Sequence, residues 1–298
     1  PEHKSKINDA LKIITAGNKM VEEFGGRDLH PFLKVREEIP KTDYEELIKK
    51  LESIKPEILR TIRLFSSIKY PEMSRDSDYL ALKESLIYAC ISGKVKSKDN
   101  KFIDDNYKKH LKENIKEYAT SKFVLIDNHP YMLGAMARIN NNEQQLDVES
   151  RAELFKALDF AGLKLPLNNP YHNIICQSIE LLQATNRAIK ILKNPPKSSD
   201  KTEYKIKAGH GVSAAEAPRG TLFHEYKINK EGTIEYCNII TPTAQNLNMM
   251  EKDITILVNK LLKTNTSKSE IVDRIEKLIR AYDPCFSCST HFLKVNWL

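Results

Sequence analysis

The sequence predicts a mainly helical fold with a small antiparallel sheet inserted late. Three observations carry this. Long stretches repeat apolar residues at helical spacing. Two β-rich runs, TLFHEYKI and TIEYCNIIT, flank the turn NKEG at Gly232, which is the pattern of a β-hairpin. Strands do not alternate with helices, and neither G-x-G-x-x-G nor G-x-x-x-x-G-K-[ST] occurs, so a doubly wound nucleotide-binding fold is unsupported.

Taken in order, KINDALKIITAGNKMVEEF places Ile7, Leu11, Ile14 and Val21 on one helical face, and Gly25–Gly26 of GGRDLHP stop it. TDYE, Thr42 to Glu45, is a capping box that opens a second helix, and Pro56 restarts that helix over PEILRTIRLF. YLALKESLIYACISGKVKS reads as a short hairpin, followed by a helix over DDNYKKHLKENIKEYA. KFVLI and YMLGAMARI flank DNHP and read as strand, turn, then strand or helix. SRAELFKALDFAG is a helix closed by Gly162. A long helix then runs to the Pro195–Pro196 pair, with Ile175, Ile179, Leu182, Ile189 and Leu192 on one buried face. After the hairpin and TPT, a helix carries Leu247, Met250, Ile254, Leu257 and Leu261. The last helix opens with the capping pair Ser267 and Glu270, buries Ile271, Ile275, Leu278 and Ile279, and ends at Asp283–Pro284.

The 298 residues suffice for a substantial core, read here as one domain over 1–298 with no internal repeat or low-complexity linker. No apolar run is long enough to span a membrane, and PEHKSKINDALK lacks the apolar region of a signal peptide. The absence of an initiator Met is read as a processed or incomplete chain. The net charge of +7 comes from lysines interleaved with glutamates, which describes solvated helix faces and not a nucleic-acid footprint. Five cysteines form no disulfide framework; Cys90, Cys176 and Cys237 read as small core residues, and a reducing cytoplasm is expected.

The chemistry concentrates in DPCFSCSTH, with Cys285, Cys288 and His291. A thioredoxin-like pair needs its first Cys at a helix N-terminus, and this pair follows a helix C-terminus. Haem attachment needs C-x-x-C-H, and His291 is two positions too late. Two core thiols, or a structural zinc with His291 as third ligand, stay open. The sharper reading is a transition-metal centre held by several soft thiolates, two of them from this loop. EAPRG puts Arg219 between Pro218 and Gly220 in an irregular turn, and Thr241 and Thr243 stand at a helix start, where free N–H groups favour anionic ligands. An ordinary turn with a surface arginine is the equally open alternative for EAPRG.

These residues resemble a family. DPCFSCSTH is similar to D-P-C-x-x-C-x-x-H, the C-terminal signature of the large subunit of nickel–iron hydrogenases. GHGVSAAEAPRGTLFHEYKI, NIITPTAQNLNMMEKDI, NNPYHNIICQSIELLQ, PYMLGAMARIN and GGRDLHP resemble further segments of that subunit in the same order, from about residue 5 onward. The likeness is to the cytosolic multi-subunit type linked to NAD(P), coenzyme F420 or sulfur. It implies that family's helical bundle and an H2-oxidising or H2-forming catalytic subunit. Cys285 and Cys288 would ligate nickel and iron, with Cys288 as the bridge. The iron would carry CO and two cyanides. Arg219 would lie against the open coordination position, and Asp283 would pair near it. Pro218 with Thr241 or Thr243 would line the cyanides. His291 and a carbonyl such as that of Gln245 would bind magnesium. Implied partners are an Fe–S small subunit, flavin and Fe–S electron-transfer subunits, and a maturation endopeptidase.

Two departures stand out. The family's second cysteine pair, R-x-C-G-x-C, and its upstream glutamates are absent from this sequence, so the resemblance is to the C-terminal part of a large subunit, its N-terminal half missing through a partial, split or degraded gene. FLKVNWL, 292–298, continues past His291 and corresponds to a cleavable maturation tail. Two alternatives stand beside this reading: an inactive or complex I-like subunit, against which the cysteine pair argues, and a zinc-stapled helical interaction protein.

Overall fold

Apolar spacing, caps and strand pairing can each be traced in the computed structural model, which describes residues 3–32, 42–97, 102–103, 106–195, 205–289 and 294–297. The helices are α1 (Lys4–Gly25), α2 (Tyr44–Ser67), α3 (Ala135–Asn142), α4 (Val148–Phe160), α5 (Asn173–Lys193), α6 (Pro242–Lys263), α7 (Lys268–Ala281) and the short α8 (Phe286–Ser289). The strands are β1 (Asp78–Tyr79), β2 (Ala81–Lys83), β3 (Lys94–Lys96), β4 (Phe102–Ile103), β5 (Leu111–Ile115), β6 (Lys122–Ile126), β7 (Tyr131–Met132), β8 (Gly209–Ala217), β9 (Gly220–Ile228) and β10 (Ile234–Ile240). Mainly helical with small sheets, this is the expected class. No helix among the described residues is long and apolar enough to cross a membrane.

The chain divides into two units. The first comprises Pro1–Ile68, Asp147–Gly162 and Gln177–Lys205. There α1 lies on α2 through ion pairs, Arg60 gripping Asp9 with two 2.8 Å hydrogen bonds and Lys12 meeting Glu57 at 2.9 Å. The expected apolar stripe of α1 is only a helix signal: Ile7, Leu11 and Ile14 are 57, 56 and 56% exposed, and Ala16 and Gly25 are the buried residues. The N-cap of α2 is Asp43, not Thr42; its carboxylate accepts the Glu46 N–H at 3.0 Å, and Thr42 donates to Glu23 instead. Pro56 does not restart the helix. It sits on the exposed face of a continuous α2. Leu47, Leu51, Ile54, Ile58 and Ile62 bury one face across it, and that burial keeps the helix running. In this unit α4 is capped by Asp147 and closed by Gly162 at φ +66°.

The second unit comprises Lys69–Leu146, Leu163–Cys176 and Ile206–Leu298. It holds β2–β3–β4, β5–β6 and β10–β9–β8 as antiparallel sheets, with β1 parallel to β7. The helix expected over 104–119 is corrected: among its described residues 107–109 form a single 3-10 turn and 111–115 is β5, paired with β6. Tyr107, Leu111 and Ile115 have helical spacing, but pairing with the apolar FVLI buries more and overrides it. In DNHP, Asp127 and Asn128 take φ +45° and +68°, the left-handed pair that closes a two-residue turn between Ile126 and His129.

The expected hairpin gains a third strand, β8, whose small and polar GHGVSAAEA carries little strand signal. Its register runs from Gly209↔Ile228 to Ala217↔Gly220, so Pro218 and Arg219 alone form the connecting turn. Leu80, Leu82, Tyr131, Leu133, Phe223, Ile240 and Ala244 make the core beneath it. Of the three cysteines expected in the core, Cys176 is buried and Cys90 half-buried, whereas Cys237 lies exposed on β10, an edge strand of its sheet. On α6, Met250 and Leu257 are buried as expected, joined by polar Gln245, Asn246 and Asp253; Leu247, Ile254 and Leu261 are only half-buried. Ser267 caps α7 at 3.3 Å, and Ile271, Ile275 and Leu278 are buried while Ile279 is half-buried. The predicted buried residues of α5 are all buried.

Candidate active site

The site is built where α7 ends. Tyr282 anchors that end: its buried hydroxyl donates to the Asp253 carboxylate, which also accepts from Arg75. Burial pushes the Tyr282 phenol well above its ordinary value, so it stays a neutral donor. Asp283 then takes φ +50°, a left-handed conformation that Asp tolerates better than most residues and that turns the chain out of the helix. Pro284 prevents its continuation. Cys285 follows, and one turn of α8 brings Cys288 round, with the Cys288 N–H on the Cys285 carbonyl at 3.1 Å.

The two sulfurs lie 2.7 Å apart, Cys285 half-buried and Cys288 exposed, and no disulfide joins the described cysteines. The first turn of α6 backs this loop. Thr243 Oγ1 accepts the Cys285 N–H at 3.3 Å, and Thr241, the N-cap residue, places its hydroxyl 3.3 Å from that of Ser289. Arg219 reaches the loop from the hairpin turn. Its Nε donates to the Asp283 carbonyl at 2.6 Å, and one Nη lies 3.3 Å from Asp283 Oδ1. Two sequence-distant motifs, EAPRG and DPCFSC, thus meet through Asp283.

The turn itself depends on glycine. Gly220 has φ +134°, and a Cβ there would fall 2.4 Å from the Leu133 Cβ. Pro218 presents its carbonyl to Arg138 at 2.8 Å. Gln245 is fully buried, and its side chain is occupied: it accepts from Tyr131 at 2.9 Å and donates to the Thr221 carbonyl at 2.7 Å. His291 lies outside the described residues. Among the described residues no group of three or more His, Cys, Asp or Glu could hold a metal ion. The two thiolates fit a nickel–iron centre in kind, being soft donors on one short loop, and supply part of a ligand set.

A family model for nickel-dependent hydrogenases matches residues 105–291, which include Arg219, Thr241, Thr243, Asp283, Cys285 and Cys288. The chain belongs to that family. The alpha subunit of sulfhydrogenase 1 from Pyrococcus furiosus is 32% identical to this hydrogenase chain, covering 99% of it and 69% of that relative. A relative from Methanothermobacter thermautotrophicus, part of an F420-non-reducing hydrogenase, is 29% identical, covering 95% and 65%. A crystal structure of an NAD+-reducing [NiFe]-hydrogenase shares the fold, with a TM-score of 0.79 over 97% of this chain and 69% of that one, at 19% identity. The chain is thus a catalytic subunit of a nickel-dependent hydrogenase, an oxidoreductase acting on H2. The complex I-like and zinc-stapled readings are not favoured.

Sequence reasoning did not single out the buried polar residues of this hydrogenase site. Arg138 stands in AMARIN and Asn173 in HNIICQ, each polar within an apolar run, and both are buried. Helical periodicity does not flag them, since Asn141 and Asn142 follow Arg138 at i+3 and i+4 and Gln177 follows Asn173 at i+4; only the structure shows that both must be hydrogen-bonded inside. Glu216, inside the quoted EAPRG, is fixed by Arg138 at 2.9 Å, by the Leu82 N–H at 2.7 Å and by the Thr221 hydroxyl at 2.7 Å.

Proposed function

We propose that Cys285 and Cys288 are two of the thiolates that hold the nickel–iron centre, and that Arg219 and Asp283 handle the proton when H2 is split heterolytically. The observation that carries this is the Arg219–Asp283 contact, which brings a guanidinium to the residue two before Cys285. The remaining ligands would come from a cysteine pair outside this sequence, as the family's R-x-C-G-x-C does.

When bound, the centre supplies the H2-binding position and the redox chemistry. The chain's own residues do the rest. The Arg219 guanidinium favours charge separation in front of the cysteine loop, as a fixed donor needing little reorganisation. A proton arriving at its Nη is matched by one leaving toward Asp283 Oδ1, 3.3 Å away. Thr241 and Thr243 hold the loop by hydrogen bonds and, with Pro218, would accommodate cyanide on the iron, which also carries CO. H2 yields two protons and two electrons, and the electrons leave through a small Fe–S subunit, then flavin or Fe–S partners. His291 and the Gln245 carbonyl would bind magnesium, and an endopeptidase would cut between His291 and Phe292. The compartment is the cytoplasm, and the carrier is NAD(P), F420 or sulfur.

Metal analysis and infrared spectroscopy of the protein isolated from its host test the centre. Nickel and iron with CO and cyanide stretching bands are expected; zinc alone refutes it. The mature mass tests the tail: a chain ending at His291 is expected, and one ending at Leu298 overturns the cut.

A further inference from the structure

We infer that Arg138 and Asn173 are positioning residues, joined through α3, that set the Arg219 guanidinium against the cysteine loop. The inference rests on the reading that Arg219 serves the metal site.

Arg138 is 5% exposed and both of its Nη groups donate into the Arg219 turn. One Nη donates to Glu216 Oε2 at 2.9 Å and to the Ala217 carbonyl at 3.0 Å; the other donates to the Pro218 carbonyl at 2.8 Å. Glu216 Oε1 accepts from the Leu82 N–H and from the Thr221 hydroxyl, each at 2.7 Å. The residues on both sides of Arg219 are therefore tied to buried groups, and the Arg219 side chain is the part of the turn that reaches Asp283.

Asn173 acts on the other end of the same strut. Its Oδ1 accepts the Met136 N–H at 2.9 Å, in the first turn of α3, and its Nδ2 donates to the Ala281 carbonyl at 2.8 Å, two residues before Asp283. The N-cap of α3, Gly134, comes so close to the turn that a Cβ there would lie 3.4 Å from the Arg219 carbonyl. One short helix thus grips the Arg219 turn through Arg138 and the end of α7 through Asn173. The spacing between guanidinium and cysteine loop is set by α3, and not by the loop.

A buried ion pair can also be mere scaffold, since its desolvation cost often cancels its attraction. Thermodynamic coupling separates the two roles. Arg138→Lys keeps the charge but loses the planar fork that satisfies a carboxylate and two carbonyls together. The holoprotein from its host is compared as wild type, Arg138→Lys, Arg219→Lys and the double variant, with nickel and iron measured per chain. Arg138→Lys should keep its metals, hold its KM for H2 and lose turnover by about tenfold to a hundredfold. That loss should vanish in the Arg219→Lys background. Amide exchange read by mass spectrometry should quicken over 217–221 in Arg138→Lys and over 281–285 in Asn173→Ala, with 246–257 unchanged. If Arg138→Lys does not fold, Glu216→Gln replaces it, with the same expected direction. Additive losses, or unaltered exchange over 217–221, overturn the positioning role. Full turnover in Arg219→Lys would instead sink the site reading, and the exchange data would still decide the clamp.

Discussion

The Arg219 turn and the cysteine loop meet at Asp283 but are held in opposite ways. The turn is a two-residue hairpin connection with Gly220 packed on Leu133 and a buried Arg138–Glu216 pair behind it. The loop is half-exposed, and among the described residues Thr243 and Thr241 meet it through long hydrogen bonds of 3.3 Å. The difference follows from what each arm is for. Thiolate ligation can itself order a loop, because metal binding and folding are coupled. A guanidinium gains no such bond, so its usefulness depends on being preorganised by protein groups.

The largest effect should come from the sulfurs. Cys285→Ser or Cys288→Ser replaces a soft thiolate by a hard hydroxyl, so nickel per chain and H2 turnover should both fall to background. The contrast breaks if either variant also melts the β8–β9–β10 sheet, measured by amide exchange, because the loop would then be part of the scaffold. Next, Arg219→Lys should keep its metals and lose on the order of a hundredfold in turnover, as removal of one preorganised donor does. A loss below about threefold would make the guanidinium a surface group after all. Gly220→Ala should destabilise the chain by about 2–3 kcal/mol, through the left-handed φ and the clash with Leu133. Denaturant unfolding measures it, and a neutral result would mean that the turn is not the rigid arm. Thr243→Val, which removes only a 3.3 Å acceptor beside the loop, should cost under about 1 kcal/mol.

The same contrast explains what was legible in the sequence. Cys285 and Cys288 announce themselves by spacing, and Arg219 by its Pro and Gly neighbours, because reactive groups on turns sit among punctuating residues. Helix existence was readable from period and caps, as in α5 and α7. The supports were not. Arg138, Asn173 and Glu216 look like ordinary polar residues until distant segments are brought around them. β8 is hidden by its small residues, and β5 carries a helical spacing that pairing with β6 overrides. In α1 the period located the helix, but the exposed Ile7, Leu11 and Ile14 show that period alone does not say what covers a face.

Acid sharpens the comparison furthest, because it should loosen the sheet under the turn without touching the sulfurs. Glu225 lies on β9, five residues after Gly220. Burial alone would raise its carboxyl, but hydrogen bonds from Lys108, Tyr107 and His210 outweigh burial and hold it at about 2, below the ordinary 4.5. A depressed folded-state value means stability that is present above pH 4.5 and lost as pH falls through 2, here about 1–2 kcal/mol given the half-exposed Lys108. His172 works in a different window: burial lowers it to about 4 from 6.5, so the unfolded chain takes a proton that the folded chain refuses, and stability declines from pH 6.5 toward 4. Glu225→Gln should therefore flatten the unfolding free energy below pH 4.5 and leave the slope above it. If the slope below pH 4.5 survives in Glu225→Gln, the acid-sensitive support of the turn lies elsewhere than in β9.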